Sequence, residues 1–400
     1  MKKIVLMLVL TCLISSSYSG ATIDALTLSS EEVETIETNS NVGPSLALNA
    51  ASAVLIDADS GTVIFEKNSN EKLPPASITK VMTMLLVMEA VGQGKIKLTD
   101  MVRTSANAAS MGGSQIFLEE GEEMSVEEML KGVAMASGND ASVALAEKLG
   151  GTEEEFVKLM NERAKQLGMN NTHFMNSNGL PVENHYSSAY DIALVSRELM
   201  KYDLIRQFTG KYQDYLRKDS EKPFWLVNTN KLVRFYPGAD GVKTGYTSEA
   251  KFCLSASAAR DGMRVIAVVM GAPNTKVRNS DVSQMMDYAF AQYSNHVVIE
   301  KGATIGSLEI EKGMESRVDL AAEQPFSILI RRGSDTSKIY YEVDMDKSIK
   351  APIVAGQPIG KLTIYQGEQA MKEFELLAPR TVEKVNWFRL LKRSTQSLFK

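Results

Sequence analysis

A chain of 400 residues that is 44% hydrophobic has apolar material for a substantial core, and its length predicts more than one domain. Its formal net charge of −5 gives no basis for a nucleic-acid partner. Of two cysteines, Cys12 falls in a removable leader, so Cys253 stands alone in the mature chain and an intramolecular disulfide is excluded.

Met1-Lys2-Lys3, the apolar run from Ile4 to Ile14 and the small residues up to Ala21 predict a secretory signal peptide over residues 1–21. The run is shorter than the roughly 20 residues that span a membrane, so export is expected, not an amino-terminal anchor. Residues 22–48 place Glu31, Glu32, Glu34 and Glu37 among Ser, Thr and Asn, which predicts a flexible acidic leader. Folded sequence is expected from residue 49. Two strand-like runs around Asp59-Ser60-Gly61 predict a hairpin.

Pro74-Pro75-Ala76-Ser77-Ile78-Thr79-Lys80 then leads into Val81 to Met88, apolar on nearly all sides and therefore predicted to be a buried helix. Ser77 and Lys80, three apart, share a helix face. A desolvated lysine tends to lose its charge, and the neutral amine can take a proton from a neighbouring hydroxyl. The same spacing at Ser69 and Lys72 lies in a polar turn with no apolar helix behind it, and is a chance match.

Ser125 and Glu128 form a capping-box pattern ahead of a helix that ends at Ser137-Gly138-Asn139, and a second helix runs from Asp140 to Leu149. That turn reads equally well as an ordinary connection capped by Asp140 or as a hydroxyl and a carboxamide facing a cleft. After a helix over about 153–167, Asn176-Ser177-Asn178-Gly179-Leu180-Pro181 and His185-Tyr186-Ser187-Ser188 predict a structured loop able to wall a pocket. His185 is assigned a loop-stabilising or rim role. With only His173 and His296 besides, neither a metal site nor a cofactor is expected. Asp240 to Thr247 precedes two strand-like runs, so Lys243-Thr244-Gly245 is expected on an edge strand of an antiparallel sheet. Lys243 and Thr244 can grip a carboxylate there and Gly245 can admit a substrate backbone, although a solvated edge lysine fits the same pattern.

Ser77-x-x-Lys80, Ser137-Gly138-Asn139 and Lys243-Thr244-Gly245, in this order, resemble the motifs of serine β-lactamases and penicillin-binding proteins. More narrowly, residues 51–379 resemble the low-molecular-weight penicillin-binding proteins that are serine-type D-alanyl-D-alanine carboxypeptidases, the peptidase S11 family. The resemblance implies an α/β (α+β) transpeptidase-like domain over residues 49–295, with an antiparallel sheet flanked by helices. It implies hydrolysis through an acyl-enzyme on Ser77, with Lys80 as base and Ser137 and Lys243 passing a proton to the departing D-alanine. Asn139 would hold the peptide, Thr244 and Arg278 would contact its terminal carboxylate, and the backbone N–H groups of Ser77 and Tyr246, flanking Gly245, would make the oxyanion hole. The implied partners are a peptidoglycan stem peptide ending in D-Ala-D-Ala and β-lactams. A class A β-lactamase, the nearest alternative, uses a Glu-x-x-x-Asn pattern that is absent between Asn139 and Lys243. Against a non-catalytic wall-binding protein stands the complete set of acylating residues.

Beyond about residue 295, short alternating runs predict an all-β domain over residues 296–380, resembling the carboxyl-terminal β-sandwich of the same carboxypeptidases. Residues 381–400 place Val385, Phe388, Leu391 and Leu398 near one helix face, with Trp387 beside it and five Lys or Arg residues against Glu383. This predicts an amphipathic helix anchoring the protein to the outer face of the cytoplasmic membrane.

Overall fold

The structure, a computed structural model, describes residues 46–346 and 348–386. The expected signal peptide and most of the expected leader lie outside the described residues. The leader's last three residues, Leu46-Ala47-Leu48, belong to the folded body. They are apolar, Ala47 is buried, and Lys67 Nζ donates to the carbonyls of Ala47, Leu48 and Ala50 at 3.2, 2.7 and 2.7 Å.

Strands β1 (Ser52–Asp57) and β2 (Val63–Lys67) form the expected hairpin, and a 3₁₀ turn over Ala76–Thr79 leads into α1 (Lys80–Gly92). β3 (Met101–Arg103), the short α2 (Ala106–Ala109) and β4 (Glu123–Ser125) follow. Next come α3 (Val126–Lys131), a π turn over Gly132–Ala136, and α4 (Asn139–Gly150). Ser125 Oγ accepts from Glu128 N–H, but the Glu128 carboxylate accepts from Arg217 N–H, so only half of the capping box forms. α5 (Glu153–Gln166), α6 (Ala189–Leu199) and α7 (Asp203–Thr209) precede a hairpin of β5 (Gln213–Leu216) and β6 (Phe224–Val227). After α8 (Leu232–Phe235), β7 (Ala239–Thr247), β8 (Lys251–Arg260) and β9 (Met263–Ala272) complete the main sheet, and α9 (Thr275–Gln292) closes this part of the chain.

The main sheet is antiparallel in the order β2-β1-β9-β8-β7, which puts β7 on an edge as expected. Side chains alternate across it. Val54, Ile56, Ile266, Val268 and Met270 join one apolar cluster with α1 and α6, whereas Ala53, Leu55, Val265, Ala267 and Val269 join another with Val282, Met285 and Met286 of α9. Covered on both faces, β1 and β9 read as near-continuous apolar runs. α1 is buried nearly all round, from Lys80 through Ala90, which explains why it lacks a polar face.

Residues 293 onward are β-rich. β10 (Tyr293–Ile299) pairs with β13 (Phe326–Arg331); β11 (Thr304–Glu311) pairs with β12 (Arg317–Ala321) and, in parallel, with β15 (Ser348–Lys350). β14 (Ile339–Met345), β16 (Pro358–Gln366) and β17 (Gln369–Leu377) form a third sheet. These sheets enclose a separate core around Leu308, Leu320, Leu362 and Ile364. Asp59, in the β1–β2 turn, ties the two parts together: its carboxylate accepts from Asn295 Nδ2 at 2.7 Å and its carbonyl from Lys372 Nζ at 3.2 Å.

The helix expected from residue 381 does not begin there. Val382 bridges to Ile353 and Lys384 to Gly313, so this stretch is extended, and Val385 is buried instead of lying on an exposed helix face. Backbone pairing with the β domain satisfies these amides and wins over the helical pattern. Residues 387–400 lie outside the described residues.

His185 is a buried structural residue. Met175 N–H donates to its Nδ1 at 3.0 Å, which leaves the ring proton on Nε2, 2.8 Å from Thr79 Oγ1. Burial holds its pKa down at about 4. Between that value and the ordinary histidine pKa of about 6.5 the unfolded chain binds the extra proton, so stability falls as pH drops through this window. We expect chemical denaturation to show a loss of roughly 1.4 kcal/mol per unit of depressed pKa between pH 6.5 and 4, and His185→Gln to flatten that slope; an unchanged slope refutes the assignment.

Candidate active site

The 3₁₀ turn before α1 carries Ser77 and delivers Lys80 into the core. Lys80 Nζ has three oxygen partners: Ser77 Oγ at 3.0 Å, Asn139 Oδ1 at 2.6 Å and the Asn178 carbonyl at 2.5 Å. A lysine with 0% exposure needs such partners, because an unpaired buried amine would cost several kcal/mol. Burial first, and then the charge of Lys243, hold its pKa well below the usual lysine range, against an upward pull from Asp140. In the neutral amine two N–H groups serve the two carbonyl-type oxygens, and the lone pair is left for the Ser77 hydroxyl proton. The geometry thus supplies a serine with its base already aimed.

Asn139 opens α4. Its Nδ2 donates to Gly112 O at 2.6 Å, and its backbone N–H to Ser114 O at 2.7 Å, so one side chain joins Lys80 to the loop over residues 111–118. Asp140 is not a helix cap. Its carboxylate accepts from the amides of Ile116, Leu118 and Ala141, all between 2.9 and 3.1 Å, and so folds the same loop toward the site. Ser137 is buried two residues before Asn139, with φ 65° and ψ 29°, the left-handed conformation in which the π turn ends. π turns of this kind recur at functional sites.

Edge strand β7 lies against the nucleophile turn. A Cβ on Gly245 would stand 3.0 Å from Pro75 O and 3.1 Å from Ser77 N, so any side chain there would push the strand and the turn apart by a few tenths of an ångström. This sets the backbone beside Tyr246 next to Ser77 N–H, as an oxyanion hole requires. The Tyr246 ring points outward, half-exposed and packed on Phe252 with ring centres 4.4 Å apart. Thr244 Oγ1 donates to Thr229 Oγ1 at 2.7 Å. Lys243 is buried and donates to Thr244 O at 2.9 Å; it is not a solvated edge lysine. Burial, followed by the charge of Arg278, pushes its pKa down to about 7. Arg278, buried in the first turns of α9, donates to Asn279 Oδ1 at 3.0 and 2.9 Å and reaches Lys243 electrostatically.

Sequence reasoning singled out the 176–181 loop as a wall but did not assign Asn178 to Lys80. Thr83 of α1 and Ser142 of α4 both donate to Ser177 O, at 2.6 and 2.9 Å, while Glu153 of α5 accepts from Ser177 N–H and Oγ. Three helices therefore hold the loop so that the next carbonyl meets Lys80. Gly179, at φ +87°, sits where a Cβ would come 1.9 Å from Ala76 O. Thr229 was missed as well. A backbone carbonyl and a lone threonine carry no sequence signature; the glycine after Asn178 was the only visible hint. Among the described residues no three His, Cys, Asp or Glu side chains converge in a metal-ligating group.

Comparison with known proteins places the chain in a family. Residues 37–274 match the family described as D-alanyl-D-alanine carboxypeptidase (peptidase S11), and residues 293–384 match the penicillin-binding protein 5 carboxyl-terminal domain. The D-alanyl-D-alanine carboxypeptidase DacF of Bacillus subtilis is 54% identical over 349 residues, covering 87% of this chain and 90% of that protein. DacC of Escherichia coli is 33% identical over 354 residues, with 86% of each chain covered. The crystal structure of penicillin-binding protein 5 from Haemophilus influenzae superposes with a TM-score of 0.68 at 32% identity, covering 86% of this chain and 99% of that one.

Because Arg278 helps depress Lys243, which has a pKa of about 7, Arg278→Gln is expected to raise it. A group that grips an anion works only while protonated. KM for a carboxylate-ended peptide should therefore rise with pH above about 7 in the parent protein and only at higher pH in the variant. Superimposable KM–pH profiles would sink the coupling.

Proposed function

We propose how this chain, which belongs to the peptidase S11 family of D-alanyl-D-alanine carboxypeptidases, uses these residues for the serine hydrolysis that characterises the family. The observation that carries the reading is the buried Lys80 amine, held by Asn139 and Asn178 so that its remaining valence faces Ser77. Ser77 Oγ attacks the carbonyl between the two terminal D-alanines of a stem pentapeptide as Lys80 takes its proton. The tetrahedral oxyanion lies between the N–H groups of Ser77 and Tyr246, an arrangement worth about 3 kcal/mol per donor. Ser137 and Lys243 hand a proton to the departing D-alanine nitrogen. Thr244 and Arg278, together with the positive charge of Lys243, hold its carboxylate, and Asn139 holds the peptide. Water then attacks the acyl-enzyme. The Asp140 carboxylate, whose charge reaches Lys80, is occupied by three backbone amides, so Lys80 is again the base. A β-lactam acylates the same serine.

The protein is exported and works at the outer face of the cytoplasmic membrane. The basic and apolar first 21 residues support export, and the aromatic, basic residues 387–400 support anchoring. Residues 382 and 384 are paired with the β domain, so the anchor is confined to the residues after 386.

Two measurements test these assignments. A fluorescent penicillin should label the parent protein and not Ser77→Ala, and D-alanine release from a pentapeptide should fall at least 10³-fold in that variant; labelling that survives the substitution refutes Ser77. Removing residues 387–400 should shift the protein from membrane to soluble fraction with penicillin labelling intact, and retention on washed membranes would refute the anchor.

A further inference from the structure

Beyond Thr247 the edge strand β7 opens onto a small pocket that the hydrolytic mechanism does not use. Pro75 and Ala76 of the nucleophile turn, Leu180 and Val182 of the neighbouring loop, and Thr247 and Glu249 border it, and its volume is about 20 Å³. That is room for one group the size of a water molecule. Its walls are fixed. Thr247 Oγ1 accepts from Ala250 N–H at 3.0 Å and so folds the turn that carries Glu249 back on the strand. On the loop side Gly179 is wedged against Ala76 O, and His185 is held by Met175 and Thr79.

Of the residues bordering the pocket, Glu249 alone is charged at neutral pH. His185 also borders it, but burial holds that ring's pKa down at about 4. Lys251 does not border it, and among the described residues no cation pairs with Glu249. Glu249 is exposed, whereas Pro75 and Ala76 are not. Apolar walls with one free carboxylate at the rim are the complement of an alkyl chain that ends in an ammonium group.

The strand gives the direction of the substrate. Thr244 stands at the peptide's carboxylate and Tyr246 N–H at the scissile carbonyl. A peptide added antiparallel to the free edge of β7 therefore runs past Tyr246 toward Glu249 as it is traced away from its carboxyl terminus. Tyr246 and Glu249 are three residues apart, at most about 11 Å of chain. On the substrate, the Cα of the third stem residue lies about 5 Å from the scissile carbonyl, and a four-carbon side chain with its terminal nitrogen adds about 6 Å.

We infer that this pocket reads the side chain of the third stem residue, and that Glu249 selects stems in which that residue is a diamino acid with a free terminal amine. An ammonium group fits the space, and an amine already acylated by a neighbouring stem is too large for it. This deepens the proposed function and rests on it for the direction of the peptide.

The test compares three pentapeptides that differ only in the third residue: lysine, Nε-acetyl-lysine and norleucine. With the full chain at low salt, kcat/KM for the lysine peptide should exceed that for norleucine about fivefold, the upper range of one exposed ion pair, and acetyl-lysine should be no better than norleucine. In Glu249→Gln the lysine-to-norleucine ratio should fall to about one. Taking the ratio within one protein cancels any loss of folded enzyme. A ratio of one in the parent overturns the assignment, as does a ratio that survives in Glu249→Gln. Discrimination against acetyl-lysine alone also overturns it, because a tight pocket gives that without Glu249. Equilibrium binding of the same peptides to Ser77→Ala should follow the same order, and binding without that order counts against Glu249. If the parent hydrolyses none of the peptides while binding keeps the order, the catalytic assignment fails and Glu249 stands, so the two failures are distinguishable.

Discussion

A buried amine with three oxygen partners is the constraint to which the rest of the catalytic domain conforms. A lysine in an apolar core is tolerable only if its hydrogens are matched, and Ser77, Asn139 and Asn178 come from three separate parts of the chain. Each has to be brought within about 3 Å of one nitrogen. α1 supplies the apolar surroundings that depress the amine, the π turn aims Asn139, and α1, α4 and α5 together hold the loop that ends in Asn178. The same matching that makes Lys80 bearable leaves its lone pair for a proton, so stability and basicity have one cause.

The third wall is set by absence of bulk. Gly179 lets a loop approach the Ser77 turn closer than any side chain would permit, and Gly245 brings a strand into tight contact from the other side. The sheet behind β7 is packed on both faces and gives the edge strand a rigid backing. Lys243 and Arg278 then bring two buried basic groups close to each other on this wall. Burial first, and then the charge of Arg278, depresses Lys243.

Much of this was legible in the sequence. Ser77 and Lys80 lie on one helix face, and the uninterrupted apolar residues after them announced the burial. β7, β8 and β9 were visible as strand-like runs around a Gly-containing turn, with Lys243 correctly put on an edge. What escaped is what side-chain identity does not encode. Asn178 acts through its carbonyl, and any residue would present the same atom. Asp140 follows a turn and reads as a cap, but its carboxylate finds two amides 22 and 24 positions earlier in the chain and a third on the residue after it. Residues 382–386 carry a helical pattern that backbone pairing overrides, because local periodicity cannot reveal a free strand edge elsewhere. Tyr246 is the opposite case: only its backbone N–H is expected at the site, and its ring accordingly points outward onto Phe252.

The passage from α9 to β10 has a further consequence. Gln292 ends the helix and Tyr293 begins the strand, with no residue between them to act as a swivel. The 18 residues of α9 make a rod about 27 Å long, with Arg278 near one end and the β domain on the other. Asp59 clasps the junction a second time. Such a joint behaves as a ruler and not as a tether: whatever surface the β domain rests on, the cleft is carried at a set altitude above it.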